Sequence, residues 1–301
     1  MSVSLVLFQL IFVSCEMAQD KLIWKMVLDF FILCCLASPL LYLQFWSKPK
    51  LGGFFADDRS LHLPYEQQTV PEAVLAPAGF ALVIVTIIIV EYVREKKGLS
   101  VGEKFLCDHL IPGWVWTSYV TIGVFTYGAV VQQVTSETLK QIVGRLRPHF
   151  FDVCRPAYNA SDPANANGFI QVYTCVDPND SRTKEISQLS LSFPSAHASF
   201  AMYIAVFYII YLQLKCKWRG SKLLRHAVQF LILLGALYVG LSRVVEHFHH
   251  RDDVAIGFVI GAVAAVLVVK FVLKPKKYMS GTWQDRDTPQ QNILPRPALA
   301  R

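Results

Sequence analysis

Three cations and two histidines in distant parts of the sequence have the types and spacings needed to bind and cleave a phosphate ester. Lys140 and Arg147 are seven residues apart, or two helical turns, so they would share one helix face. Arg243 adds a third positive charge, and three cations suit a dianionic phosphate, which arginine can bind in a fork. His197 and His249 are the candidate groups for proton transfer and nucleophilic attack.

Two positions next to the histidines would complete such a site. Ser195 lies where an apolar run begins, and the N-terminus of a helix starting there would bind an anion through its backbone N–H groups. Asp253 follows His249 by four residues, so the two side chains would share a helix face. We therefore expect the Asp253 carboxylate to accept one imidazole N–H of His249, which fixes the tautomer and leaves the other ring nitrogen able to attack.

Six apolar segments must position these groups. Each is near the length of about 20 residues that a helix needs to cross the hydrocarbon layer, and a helix satisfies its own backbone groups in lipid. The segments cover residues 24–42, 74–93, 114–134, 197–214, 227–241 and 254–273. The sequence thus predicts an all-α, polytopic membrane fold with six transmembrane helices in one domain at residues 21–275. Residues 1–20 are interpreted as an N-terminal extension, and the polar residues 276–301 as a disordered cytoplasmic tail.

The composition supports membrane burial and argues against nucleic-acid binding. Of 301 residues, 53% are hydrophobic and only 17% are charged, whereas soluble domains carry about 25% charged residues. The net charge is +7, but the basic residues collect beside the apolar segments instead of forming one stripe or arm. That distribution is typical of a membrane protein with basic cytoplasmic edges.

The basic residues also orient the chain. They are concentrated between the second and third spans, between the fourth and fifth, and after the sixth, and helix parity places these three segments on one side. The positive-inside rule makes that side cytoplasmic, so both termini are expected there. The candidate site residues then fall at the extracellular or lumenal helix ends. The plasma membrane is the favoured location, with the endoplasmic reticulum and Golgi left open.

The outer loop between the third and fourth spans carries candidate modification sites. Asn159 and Asn179 each begin an Asn-X-Ser sequence, which is the acceptor pattern for N-glycosylation. Cys154 and Cys175 lie in the same loop, where an oxidising compartment would favour a disulfide. Their spacing alone leaves open whether they pair or are unpaired thiols.

Three motifs resemble the signature of the lipid phosphate phosphatases, also called type 2 phosphatidate phosphatases. They are KQIVGRLRP at 140–148, PSAH at 194–197 and SRVVEHFHHRDD at 242–253. The sequences GFFADD, PYEQQTVP and HFFDVC resemble the animal branch of that family in particular. The resemblance covers most of the chain, from the first span to the sixth.

The resemblance implies metal-free hydrolysis of lipid phosphomonoesters such as phosphatidate, lysophosphatidate, sphingosine 1-phosphate and ceramide 1-phosphate. His249 would attack phosphorus to form a phosphohistidine, with Asp253 orienting it. His197 would protonate the leaving lipid oxygen and then activate water. The groups that would hold the phosphate are Lys140, Arg147, Ser195, Arg243 and the backbone N–H of Ala196, which stands where the family usually has glycine. The resemblance also implies that no cofactor is needed, and it suggests homo-oligomers.

Three alternatives compete with this interpretation. His247, His249 and His250 could form a metal site, although the lysine and arginine residues favour an anion instead. A non-catalytic membrane protein could bind or present lipid phosphates, but relatives of that kind lack the histidines that are intact here. A solute transporter is disfavoured, because the six spans lack paired broken helices and midplane charges.

Overall fold

Six helices of the computed structural model are long and apolar enough to cross a membrane. The structure describes residues 23–43, 46–47, 52–99, 104–106, 109–159, 161–176, 186–216 and 222–274. The predicted all-α fold with six transmembrane helices is confirmed. The predicted extension at 1–20, the predicted tail at 276–301 and the sequon at Asn179 lie outside the described residues.

Several helices extend beyond the apolar segments that predicted them. The six spanning helices and the short loop helix α4 are α1 Ile23–Leu43, α2 Glu72–Lys96, α3 Gly113–Val143, α4 Phe150–Cys154, α5 Ala196–Lys215, α6 Lys222–Val245 and α7 Arg251–Leu267. A π-helical turn at Val268–Leu273 continues α7, and 3-10 turns cover Arg59–Leu61 and Pro163–Gly168. At 1.5 Å per residue α3 is about 46 Å long. It is thus longer than the hydrocarbon layer is thick, so its end reaches the membrane surface.

Short antiparallel strand pairs tie the loops together. The pairs are Phe54–Phe55 with Phe169–Ile170, Lys104–Leu106 with His109–Ile111, and Pro156–Ala157 with Thr174–Cys175. The first pair joins the segment before α2 to the long loop between α3 and α5, and the third pair lies within that loop. The second pair lies between α2 and α3, at the opposite end of these helices.

Helix α5 forms the centre of the bundle, and α7 packs closely against it. Nearly all side chains of α5 are buried, whereas those of α1 are mostly exposed. Gly257 and Gly261 of α7 face α5 so closely that a Cβ on Gly257 would lie 2.6 Å from the Ser195 carbonyl oxygen. Small residues let helix backbones approach each other in lipid. This approach brings the starts of α5 and α7 together.

A separate apolar cluster covers the end of the bundle at which α5 begins. Its buried members are Phe54, Leu61, Leu146, Phe150, Val153, Cys154, Ile170 and Leu189. A disulfide between Cys154 and Cys175 crosses the same loop. Because Leu146 is anchored in this cluster, its neighbours Arg145 and Arg147 are held beside the helix ends.

Candidate active site

The candidate site residues, which come from distant stretches of sequence, lie together at one end of the bundle. Lys140 is in the last turn of α3, His197 is in the first turn of α5, and Arg243 is in the last turn of α6. The Ser195 N–H donates to the Asp253 carbonyl oxygen at 3.0 Å, which joins the starts of α5 and α7. The arrangement is the one that helix parity predicts.

The segment after α3 is fixed by a glycine turn and by backbone hydrogen bonds. Gly144 ends α3 with a φ of 61°, a left-handed conformation that glycine adopts without a Cβ penalty. The Arg147 N–H donates to the Leu189 carbonyl at 2.8 Å, and the Ser192 N–H donates to the Arg145 carbonyl at 3.0 Å. The segment therefore runs beside the chain leading into α5, which places Arg147 in the site.

Three buried cations line the site. Lys140, Arg147 and Arg243 are each more than nine-tenths buried. Lys140 Nζ pairs with Glu137 Oε1 at 2.8 Å, and Arg243 Nη2 pairs with Glu246 Oε2 at 2.6 Å. Within the described chain, Arg147 Nε and Arg243 Nη1 are buried without a hydrogen-bond partner. Because an unpaired buried donor is costly, these groups favour an anion in the site.

Arg147 and Arg243 also contact one aromatic ring. Their guanidinium carbons lie 5.4 and 5.8 Å from the centroid of the Phe248 ring, distances at which cation–π attraction operates. Burial, together with the charge of Arg243, lowers the pKa of Arg147 to about 10. Both arginines are thus held against Phe248, and Arg147 is positive at neutral pH, with a donor left for phosphate oxygens.

One ring nitrogen of His249, Nδ1, is hydrogen-bonded to the backbone. Nδ1 lies 2.6 Å from the Ser192 carbonyl oxygen, and because a carbonyl can only accept, Nδ1 carries the proton and Nε2 the lone pair. Burial, with the charges of Arg147 and Lys140, lowers the pKa of His249 well below its usual value. The imidazole is therefore neutral at neutral pH and can act as a nucleophile through Nε2.

The expected direct bond between Asp253 and the His249 ring is replaced by an indirect connection. Helix α7 begins at Arg251, so His249 precedes the helix and does not share a helix face with Asp253. The Asp253 carboxylate instead accepts from Ser192 Oγ at 2.6 Å and from the His250 N–H at 3.0 Å. Asp253 is therefore connected to the His249 ring through Ser192, whose carbonyl holds the ring.

Arg145 and Ser192 are two supporting residues that sequence reasoning missed. From the sequence, Arg145 is interpreted as an ordinary external charge. Its Nη1 lies 2.6 Å from Asp253 Oδ1 and 3.1 Å from Asp252 Oδ2, so it holds the second oxygen of the carboxylate that supports Ser192. The only indication in the sequence is their position, because Arg145 lies inside the first motif and Ser192 lies just before the second.

The start of α5 adds a hydroxyl and backbone N–H groups to the site. Ser195 is the N-cap, and its Oγ accepts from the Ala198 N–H at 3.4 Å. Ala196 is the first helical residue and is buried, and it is not among the described non-glycine residues with positive φ. Alanine is therefore compatible with this position, and its N–H is one that a helix start leaves without an intrahelical partner.

His197 borders an apolar cavity beside the cations. Its Nε2 is buried and has no hydrogen-bond partner in the part of the chain described, and its Nδ1 is 3.7 Å from Glu72 Oε1. The cavity has a volume of about 310 Å³ and extends from His197 between α1, α2, α3 and α5. Its mostly apolar lining includes Leu40, Phe80 and Ala129. This arrangement suits a lipid whose phosphate meets the cations while its apolar part enters the cavity.

The histidines next to His249 bind separate segments of the backbone. His247 Nδ1 donates to the Pro64 carbonyl at 3.0 Å, and His250 Nε2 donates to the Leu146 carbonyl at 3.1 Å. Among the residues that the structure describes, no three His, Cys, Asp or Glu side chains are grouped to hold a metal ion. The metal-site alternative therefore gains no support from this geometry.

We expect His149 to make the free energy of unfolding of the protein dependent on pH. His149 Nδ1 donates to the carbonyl of His247, two residues before His249, at 2.8 Å, and burial lowers the pKa of His149 to about 4. An unfolded histidine titrates near 6.5, so as the pH falls the unfolded chain binds this proton first. Stability is therefore lost between about pH 6.5 and pH 4, and about 2 kcal/mol of this loss is expected by pH 5.

This prediction is checked with thermal unfolding midpoints in detergent at pH 7.5 and pH 5. The control is His149→Asn, in which an amide can still donate to the His247 carbonyl but does not titrate. The midpoint of the wild-type protein should fall further on acidification than the midpoint of the variant. Equal falls in both proteins would show that His149 is not a source of the pH dependence.

The modification sites predicted in the outer loop are only partly described. Asn159 is exposed, and its Oδ1 accepts from the Ser161 N–H at 3.0 Å. Asn179 lies outside the described residues. Exposure of Asn159 is compatible with glycosylation, which stays a prediction for both residues.

Comparisons with known proteins are consistent with this geometry. The model of the PAP2 superfamily matches residues 121–277, a range that contains all three motifs. A Drosophila melanogaster relative named "Putative phosphatidate phosphatase" is 36% identical over 91% of this chain and 77% of its own length. Phospholipid phosphatase 1 of Rattus norvegicus is 35% identical over 82% of this chain, and phospholipid phosphatase 2 of Mus musculus is 33% identical over 80%; each alignment covers 84% of the relative. No solved structure gives a significant match.

Proposed function

This chain belongs to the PAP2 superfamily, and from that premise we propose that it dephosphorylates phosphatidate, lysophosphatidate, sphingosine 1-phosphate and ceramide 1-phosphate. Its similarity to phospholipid phosphatases over most of both chains supports a lipid phosphatase. The observation that carries the proposal is the hydrogen bond from His249 Nδ1 to the Ser192 carbonyl, which assigns the lone pair to Nε2, close to the charges of Arg147 and Lys140.

In the first step, His249 Nε2 attacks phosphorus, so that the N–P bond forms and the P–O bond to the lipid breaks. The phosphate oxygens are held by Lys140, Arg147, Ser195, Arg243 and the Ala196 N–H. These donors stabilise the charge that spreads over the oxygens in the transition state. His197 enters this step as the imidazolium, donates its Nε2 proton to the departing lipid oxygen and becomes neutral, and the lipid leaves as an alcohol.

In the second step, His197 accepts a proton from water as the water oxygen attacks phosphorus. The new O–P bond forms, the N–P bond of the phosphohistidine breaks, and His249 regains its lone pair as inorganic phosphate is released. Asp253 keeps the ring oriented through Ser192 in both steps. The apolar part of the lipid occupies the cavity beside His197.

The proposed reaction needs no metal ion, since cationic side chains stabilise the phosphate charge that a metal would otherwise neutralise. We expect the purified protein to release phosphate from phosphatidate in detergent at an unchanged rate when EDTA is in excess. Added Mg²⁺ should not raise that rate. Activity that EDTA removes and Mg²⁺ restores would contradict the metal-free reaction, and no release under either condition would contradict the phosphatase itself.

We place the site at the extracellular or lumenal face, with both termini cytoplasmic and the plasma membrane as the favoured location. The basic residues in the loops between α2 and α3 and between α5 and α6 support this orientation through the positive-inside rule. Glycosylation at Asn159 and Asn179 would fall on the same side as the site. Homo-oligomerisation is proposed from the family resemblance.

A further inference from the structure

We propose that Glu72 makes this enzyme prefer lipid phosphates that carry a free ammonium group next to the phosphoester, such as sphingosine 1-phosphate. The inference rests on the proposed function of the site. Glu72 is the first residue of α2, lies outside the three motifs, and has no part in the catalytic steps described above.

Glu72 lies beside the path along which a bound lipid extends from its phosphate group into the apolar cavity. Its Oε1 is 3.7 Å from His197 Nδ1, and its side chain is 71% exposed, so the carboxylate stands at the mouth of the site. Glu72 and His197 both line the cavity proposed for the apolar part of the lipid. Since His197 protonates the ester oxygen, the atoms bonded to that oxygen must pass close to Glu72.

A carboxylate at this position opposes the binding of most lipid phosphates. Its charge acts on Arg147 and Arg243, which hold the phosphate, so it also repels a bound dianion. Glu137 and Glu246 differ from Glu72 because each already pairs with a phosphate-binding cation at 2.8 or 2.6 Å.

Glu72 has no comparable cationic partner within the described chain. Its contact there with a basic side chain is the His197 ring at 3.7 Å, and that ring is charged only when it is protonated. A carboxylate that repels the phosphate and lacks a strong partner of its own favours a substrate that brings a cation to it. The ammonium must be close to the phosphoester, because Glu72 is close to the proposed proton donor.

Sphingosine 1-phosphate has the matching chemistry. Its ammonium group is on the carbon adjacent to the one that bears the ester oxygen. Ceramide 1-phosphate has the same backbone, but its nitrogen belongs to an uncharged amide, so it isolates the effect of the charge. An exposed charge pair of this kind is worth roughly a twofold to fivefold change in binding.

The test compares kcat/KM for sphingosine 1-phosphate and ceramide 1-phosphate in mixed micelles of fixed composition. In Glu72→Gln, kcat/KM for sphingosine 1-phosphate should fall roughly twofold to fivefold, while the value for ceramide 1-phosphate stays constant or rises. Glu72→Lys should shift the ratio of the two values further in the same direction. The matched control is Glu66→Gln, which removes an exposed carboxylate from the segment just before α2 and should leave the ratio unchanged.

Two outcomes would overturn the inference and leave the phosphatase standing. An equal fall in kcat/KM for both lipids in Glu72→Gln would make Glu72 a positioning residue for His197, and unchanged values for both lipids would leave Glu72 without a role in selectivity. If the wild-type protein releases phosphate from neither lipid nor from phosphatidate, the proposed function fails and the inference fails with it.

Discussion

Replacing His249 by alanine is expected to lower kcat by about four orders of magnitude or more, because the proposed N–P bond cannot form. The ring is buried and held through Nδ1 by the Ser192 carbonyl, so its loss removes the nucleophile without altering an exposed surface. Phosphate release from radiolabelled phosphatidate measures turnover. A quench in alkali, in which phosphohistidine survives, measures the covalent intermediate, which the variant should not form.

His226→Ala is the matched control for this substitution. His226 lies in α6 near the end of the bundle opposite the site, where its ring contacts Gln229 at 3.1 Å, and its loss should leave kcat unchanged. Turnover by His249→Ala within about tenfold of wild type, or labelled phosphoenzyme in that variant, would exclude His249 as the nucleophile. An unchanged thermal midpoint in His249→Ala separates a lost nucleophile from a lost fold.

The spanning helices could be predicted from the sequence because a helix that crosses a lipid bilayer needs a run of apolar residues as long as the hydrocarbon layer is thick. The rule fails where a helix faces protein instead of lipid. The apolar segment of α3 ends near Val134, yet the helix continues to Val143. Ser136 lies beyond the end of that segment, yet it is buried, and its Oγ donates to Ser199 Oγ of α5 at 3.4 Å. Hydropathy cannot anticipate such contacts, since they depend on the neighbouring helix.

The candidate site could be predicted as a set of residues but not as a set of hydrogen bonds. Helix parity and the motifs bring the histidines and cations to one end of the bundle, where the structure also has them. The direct contact of Asp253 with His249 assumed one continuous helix, whereas α7 begins only at Arg251. The pairing of Arg145 with Asp253 joins segments that only the folded bundle brings together. The spacing of residues along the sequence does not indicate that these two segments lie close together.

The site contains two kinds of polar group: those around Asp253, whose hydrogen bonds are all made within the protein, and arginine donors that have no partner in the described chain. Both Asp253 oxygens are engaged, one by Arg145 and the other by Ser192 and the His250 N–H. Arg147 Nε and Arg243 Nη1, in contrast, are buried without a partner in the described chain. These hydrogen bonds would therefore fix the proposed nucleophile, His249, before substrate arrives, which is the preorganisation that electrostatic catalysis requires. The desolvation cost of the unpaired donors is recovered when an anion binds.

Arg147→Gln is accordingly expected to lower kcat/KM by about a thousandfold, since it removes a charged donor that phosphate would engage inside a buried site. Thermal stability should behave differently from activity. Arg147 is a buried cation whose pKa burial lowers to about 10, and a neutral amide in its place avoids that desolvation cost. The thermal midpoint of Arg147→Gln should therefore not fall below that of the wild-type protein.

Two further variants, Arg59→Gln and Arg145→Gln, test whether the loss of activity depends on where the positive charge is removed. Arg59 is an exposed residue of the segment before α2, and its replacement should leave kcat/KM unchanged. Arg145 acts through Asp253, so its replacement should lower kcat/KM by roughly tenfold, the scale of a single lost hydrogen bond to a charged group. If Arg145→Gln and Arg147→Gln lose activity equally, Arg147 supports the fold of the site and does not hold the phosphate. Full activity in the Arg147→Gln variant would show that Arg147 has no role in the mechanism.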